Sequence, residues 1–150
     1  MIEYDQLARV NAPQAKEMEA AFQRVLRKGW FILGEEVAAF EKEFAAWCGA
    51  RFCVGVASGL DAITLGLRAL HLPRGSEVLV PSNAYIASIL AVLEAGLVPV
   101  LVEPDLRTYN LDPAAAARAI TGKTRAILPV HLYGKISDMA SLVQLAEKHG

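Results

Sequence analysis

The stretch FCVGVASGLDAITLGLRAL, residues 52–70, joins two different patterns across a short hinge. FCVGVA is apolar, brief and β-branched at Val54 and Val56, which predicts a strand over 52–57. AITLGLRAL is rich in alanine and leucine and free of proline, which predicts a helix over 61–70. Between them stand Ser58 and Gly59. A chain that turns sharply into a helix leaves backbone N–H groups unpaired at the helix start. The helix dipole adds about half a positive charge there, and the combination binds phosphate without a basic side chain. Two readings stay open at this point. Ser58 or Asp61 caps local amides in an ordinary tight turn, or Ser58-Gly59-Leu60-Asp61 cradles the phosphate of a cofactor or nucleotide.

Downstream, the alternation repeats. Strands are expected at 52–57, 77–80, 98–102 and 125–130, and helices at 61–70, 86–95, 113–120 and 138–149. Asp112 followed by Pro113 marks one helix start as N-cap and first helical residue. Strands alternating with helices predict an α/β fold, a doubly wound, mainly parallel sheet with helices on both faces. Ligands of such sheets bind at the carboxyl ends of the strands, so the informative loops are 58–61, 81–85, 103–110 and 131–137. Upstream, 13–28 and 35–48 carry helical periodicity, with Met18, Phe22, Val25 and Leu26 on one face of the first and Phe40, Phe44 and Trp47 on one face of the second. The expected organisation is a helical segment over 1–50 and a sheet domain over 51–150 that stops at the end of a β-α unit. The linker GWFILG, residues 29–34, is unusually apolar for a turn and is expected to pack on another surface, such as a second subunit.

Composition narrows the function classes. Of the 150 residues, 54% are hydrophobic, mean hydropathy is +0.32, and the formal net charge is −1. A sheet buried on both faces has this character, and the charge balance argues against nucleic acid or an anionic membrane as partner. Cys48 and Cys53 lack metal-ligand spacing, so no metal site and no disulfide framework is expected. MIEYDQLARVNAP shows no signal-peptide pattern, which together with the cysteines predicts a cytoplasmic protein. The apolar tract 86–102 is interrupted by Glu94, Gly96 and Pro99 and reads as a buried helix and strand rather than a membrane span.

Other candidates sit in the ligand-edge loops. Tyr85 is either a ring-stacking aromatic or a half-buried tyrosine. His131 is either an acid–base group or a structural histidine, and Tyr133 shares its parity. Glu103 and Asp105 are either paired carboxylates or a solvated loop. Gly122-Lys123-Thr124 has the tail of a P-loop, but Ala117 stands where the first glycine is required and a strand follows, so it reads as a turn. No G-x-G-x-x-G opens the helix at 61, which leaves a nicotinamide-binding domain without its fingerprint.

Taken together, GWFILG, FEKEFAAWCGA, VASGLDAITLGLRAL, EVLVPSNAYIASILAVLEAGLVPVLVEPD, TYNLDP and KTRAILPVHLYG resemble the DegT/DnrJ/EryC1/StrS sugar aminotransferases, most of all the branch acting on dTDP-linked 3-keto-6-deoxy sugars. The resemblance implies the N-terminal part of the large domain of the aspartate-aminotransferase fold, with pyridoxal 5'-phosphate as cofactor. It implies that Gly59 and Leu60 hold the cofactor phosphate through their amides, that Tyr85 stacks on the ring, and that Ser58, Asp61, His131 and Tyr133 lie near the site. It further implies a nucleotide-linked keto sugar and glutamate as substrates, and a homodimer. Ala84 stands where Thr or Ser is usual in the family, and Glu103 where Asp is usual. The family's pyridine-nitrogen aspartate and Schiff-base lysine are expected beyond Gly150, and no lysine from Lys16 to Lys148 matches the latter's position. The 150 residues alone are therefore expected to be inactive. The alternative is a non-catalytic binding or dimerisation module derived from the same family.

Overall fold

The structure, a computed structural model, describes residues 6–150, so the first five residues of the N-terminal segment discussed above lie outside it. Its backbone divides into two compact units, one reaching to Gly55 and the other spanning Val56–Gly150.

The first unit is helical. Helix α1 covers Leu7–Asn11, a 3-10 turn covers Ala12–Gln14, and α2 runs over Ala15–Lys28. Pro13 falls in the 3-10 turn, where its missing N–H does no harm, so the regular helix starts at Ala15 rather than at 13. Helix α3 covers Glu35–Cys48. Gly29 and Gly49 end α2 and α3 in the left-handed conformation, with φ of 66° and 67°. Arg24 of α2 holds Glu36 of α3 in a forked ion pair, with bonds of 2.8 and 3.1 Å, and Lys28 pairs with Glu35. The periodic faces are present in this unit. Phe40, Phe44 and Trp47 form a ladder of aromatic contacts at 5.5 and 5.7 Å and stay exposed, as do the four apolar residues of the 29–34 linker.

The second unit is the sheet. Helix α4 is Gly59–Ala69, followed by β1 at Glu77–Pro81, α5 at Ile86–Glu94, β2 at Val98–Val102, α6 at Pro113–Ala119, β3 at Thr124–Ile127 and α7 at Met139–His149. All three strands are parallel, in the order β2-β1-β3. Strand β1 is central and alternates by the two-residue period of a strand. Val78 and Val80 face one layer, with Leu67 of α4 and Val92 of α5. Leu79 faces the other, with Ala116 of α6 and Leu142 of α7. The sheet is thus covered by helices on both faces, which explains why its strands read as continuous apolar runs.

Three expectations need correction. FCVGVA is not a strand: it pairs with no other segment among the described residues, Phe52 and Val54 are exposed, and the Gly55 N–H goes to the Glu41 carboxylate at 2.6 Å instead of to a ladder. The last strand covers Thr124–Ile127 rather than 125–130, because its final ladder contact is the Leu128 N–H to Leu79 C=O bond at 2.8 Å and Pro129 has no N–H to continue. Helix α4 also begins two residues earlier than predicted, at Gly59.

The topology locates the crevice. The chain leaving β1 turns into α5 on one face, while the chain leaving the neighbouring strand β3 turns into α7 on the opposite face. Between two such diverging loops an open sheet has its ligand crevice.

Candidate functional site

The start of α4 carries two uncommitted donors. Ser58, with extended backbone (φ −155°, ψ 164°), is the N-cap. Its hydroxyl oxygen accepts the Asp61 N–H at 3.1 Å, its hydroxyl donates to the Asp61 carboxylate at 2.8 Å, and its carbonyl accepts the Ala62 N–H at 3.0 Å. Of the first four amides of α4, those of Asp61 and Ala62 are therefore satisfied. The amides of Gly59 and Leu60 have no acceptor among the described residues. The cap and the cradle are thus compatible: Ser58 and Asp61 fix the turn, and the two donors between them face outward from the helix end. A Cβ at Gly59 would meet nothing within 4 Å, so there is room beside that amide.

Helix α5 brings the aromatic candidate to the same edge. Helices α4 and α5 pack side by side on one face of the sheet, and Arg68 near the end of α4 donates to the carbonyl of Glu94 at the end of α5 at 2.8 Å. With their C-terminal ends joined, both helices start at the carboxyl edge of β1. Tyr85 immediately precedes α5 and is 76% exposed, leaving its ring face free at that edge.

His131 and Tyr133 lie across the crevice, after β3, but not as alternating strand residues. Leu132–Gly134 is a 3-10 turn in which Tyr133 takes left-handed backbone (φ 55°, ψ 29°), so shared parity does not align the two side chains. The His131 ring is held from behind: Nδ1 accepts the Ser137 N–H at 3.2 Å, and the buried Ser137 hydroxyl donates to the Val130 carbonyl at 3.1 Å. Glu103 and Asp105 do not act as a pair of free carboxylates. Asp105 bonds the Arg107 guanidinium at 3.0 Å and the Arg107 N–H at 2.7 Å, and these bonds hold its carboxyl below the usual aspartate range.

Three residues that sequence reasoning did not single out tie these loops together. Asn83 donates to the Tyr109 carbonyl at 3.0 Å, linking the loop after β1 to the loop after β2. Asn110, 3% exposed, donates to the Lys135 carbonyl at 2.9 Å and accepts the Leu132 N–H at 3.1 Å, linking that loop to the turn after β3. Tyr109, itself left-handed with φ of 60°, meets the Tyr133 ring edge-to-face at 6.1 Å. Asparagine in a post-strand loop one position before the Leu111-Asp112 helix entry was the available signal. Among the described residues there is no cluster of three or more metal-ligating side chains, and no helix is long and apolar enough to cross a membrane.

Comparison with known proteins gives the following. The model of the DegT/DnrJ/EryC1/StrS aminotransferase family matches residues 13–150. The dTDP-3-amino-3,6-dideoxy-alpha-D-galactopyranose transaminase of Aneurinibacillus thermoaerophilus is 52% identical over 149 residues, which are 99% of this chain and 41% of that protein. The dTDP-3-amino-3,4,6-trideoxy-alpha-D-glucose transaminase of Streptomyces venezuelae is 52% identical over 134 residues, 89% of this chain and 35% of that one. The crystal structure of S. venezuelae DesV in complex with a ketimine intermediate superposes with a TM-score of 0.94 at 48% identity, over 99% of this chain and 40% of that chain. NtdA of Bacillus subtilis, crystallised with bound cofactor PMP, superposes with a TM-score of 0.87 at 39% identity, over 91% of this chain and 32% of that chain. The chain thus spans 35–41% of the length of the two curated relatives.

Proposed function

The chain belongs to the DegT/DnrJ/EryC1/StrS aminotransferase family, and from that membership we propose that it carries the phosphate-holding and ring-stacking half of a pyridoxal-phosphate site. The whole protein would transfer an amino group from glutamate to a keto sugar linked to a nucleotide, in the making of amino sugars. In this reading residues 1–50 precede a cofactor-binding large domain that starts at 51. The protein acts in the cytoplasm as a homodimer, and the apolar 29–34 linker packs on the second subunit. Support for the substrate class comes from the two relatives named for dTDP-sugar transamination.

The observation that carries the proposal is the pair of free amides at Gly59 and Leu60. A phosphate there gains two N–H donors and the positive end of an 11-residue helix. The donors belong to the backbone, so they are oriented before the ligand arrives and lose little freedom on binding. Asp61 carries a negative charge close by, and its bond to the Ser58 hydroxyl keeps that carboxylate committed to the cap. Tyr85 supplies a flat exposed face that orients a planar ring and shields it from water on one side. Pyridoxal phosphate, when bound, provides the electron sink for moving an amino group. These residues bind and orient it. The groups that bond it covalently and protonate its ring nitrogen belong, in this reading, to the part of the relatives that the chain does not span. The 150 residues by themselves are therefore expected to bind the cofactor without turnover.

The test is a titration of the purified chain with pyridoxal 5'-phosphate, followed by absorbance and by tyrosine and tryptophan fluorescence, with inorganic phosphate as competitor. Saturable binding displaced by phosphate is the expected result. Absence of saturable binding, or binding indifferent to phosphate, rejects the proposal. Turnover of glutamate and a dTDP-linked keto sugar by the chain alone would reject the assignment of the covalent chemistry to other residues.

A further inference from the structure

Two of the four non-glycine residues with positive φ among those described are Tyr109 and Tyr133, and their rings touch. Left-handed backbone is unfavourable for a residue with a bulky side chain, and glycine is the usual occupant of such turns. The core does not require tyrosine at either place, because Tyr109 is 52% and Tyr133 84% exposed. The strained turns are nevertheless held firmly. The Asp105 carbonyl accepts the Tyr109 N–H at 2.7 Å, and Asn83 caps the Tyr109 carbonyl at 3.0 Å. The buried Asn110 clamps both sides of Tyr133, through the Leu132 N–H and the Lys135 carbonyl. Two exposed aromatic rings kept in unfavourable backbone, one by Asn83 and the Asp105 carbonyl and the other by the buried Asn110 side chain, fit a binding surface better than they fit structural turns.

We propose that Tyr109 and Tyr133 form a second aromatic platform at the carboxyl edge of the sheet, taking the flat face of a ligand ring, and that Asn110 is its positioning residue. The inference rests on the reading of this edge as the cofactor and substrate site. It adds to that reading a ring-binding surface separate from Tyr85. Edge-to-face geometry at 83° leaves one ring face of the pair open to stack on a heterocycle. The heterocycle is either the pyridine of the cofactor or the pyrimidine base of the nucleotide, and the two are told apart by the ligand used.

The experiment measures binding of inorganic phosphate, pyridoxal 5'-phosphate and dTDP to the full chain and to Tyr133→Leu, Asn110→Ala and the double variant. The expected result is at least a fivefold loss of affinity for pyridoxal 5'-phosphate or for dTDP in Tyr133→Leu, the same loss in Asn110→Ala, and no further loss in the double variant. Inorganic phosphate affinity stays constant throughout. A loss confined to pyridoxal 5'-phosphate assigns the platform to the cofactor, and one confined to dTDP assigns it to the base. Unchanged affinity for both in Tyr133→Leu overturns the platform. Additive losses in the double variant overturn the positioning role, because independent effects add and a shared one does not. Should Asn110→Ala lose its native circular dichroism, the same cycle is run with Asn83→Ala and Tyr109→Leu, whose side chains are exposed. Wild-type chain that binds neither phosphate nor pyridoxal 5'-phosphate rejects the underlying reading of the site. Wild-type binding that is indifferent to both tyrosines rejects only the platform.

Discussion

The backbone N–H of Ser137 donates to Nδ1 of His131 at 3.2 Å. A backbone amide can only donate, so the neutral imidazole must carry its proton on Nε2. The Ser137 hydroxyl has its own acceptor in the Val130 carbonyl at 3.1 Å and leaves that assignment undisturbed. Nitrogen-15 NMR of the His131 ring at neutral pH is therefore expected to show the Nε2–H tautomer. Ser137→Ala keeps the amide and keeps the tautomer, whereas Ser137→Pro deletes the amide and releases the ring to a mixture. A dominant Nδ1–H form in the wild type would contradict the geometry.

Gly59 offers a way to remove one donor and nothing else. Proline is tolerated at the first position of a helix, where no intrahelical partner awaits its N–H, and Ser58 before it is already extended, as proline requires. Gly59→Pro should preserve α4 and weaken pyridoxal 5'-phosphate binding about tenfold, the effect of one hydrogen bond to a charged group. Gly59→Ala keeps the amide and has space for its methyl, so its affinity should match the wild type. Equal affinities for all three chains would show that this amide holds no phosphate.

Thr64 lies within α4 at 5% exposure, and its hydroxyl has no hydrogen-bond partner among the described residues. A buried unpaired hydroxyl is a net cost, and an apolar isostere removes it. Thr64→Val should stabilise the chain by about 1 kcal/mol, read as a higher urea midpoint at unchanged slope. A lower midpoint would mean that the hydroxyl has a partner in solution.

Asp138 caps α7. It accepts the Ser141 hydroxyl at 2.6 Å and the Ser141 N–H at 3.1 Å, and these bonds, the hydroxyl first, lower its carboxyl pKa. A carboxyl that is more acidic folded than unfolded stabilises in its ionised form. That contribution is complete above the unfolded value of about 3.9 and disappears as pH falls through the lower, folded value. Asp138→Asn should therefore flatten the stability profile below about pH 4 relative to wild type and leave its shape unchanged above. Parallel acid limbs for the two chains would remove Asp138 from the account.

Much of this architecture was legible because its signals are local. Asp112-Pro113 announced α6, Gly29 and Gly49 announced the ends of α2 and α3, and the apolar runs at β1 and β2 were found to within a residue. Residues 52–57 failed because apolar, β-branched composition describes a segment that suits a strand, while a strand exists only beside a partner. Its Gly55 amide found the carboxylate of Glu41 instead. Pro129 could have shortened β3 in advance, since proline cannot donate to a ladder. The free amides at Gly59 and Leu60 were readable from the Ser58 turn. The asparagine links were not, because Asn83, Asn110 and their carbonyl partners are 25 or 26 residues apart and meet only through the parallel strand order.

The side chains of Asn83 and Asn110 bond only to main-chain atoms of the loops they join. The identities of the side chains at 109, 132 and 133 are therefore irrelevant to the fastening itself. If the two tyrosines form the proposed platform, exchanging the rings at 109 and 133 would alter which ligand ring this edge accepts, with neither hydrophobic layer of the sheet rebuilt and the rim of the crevice kept in place.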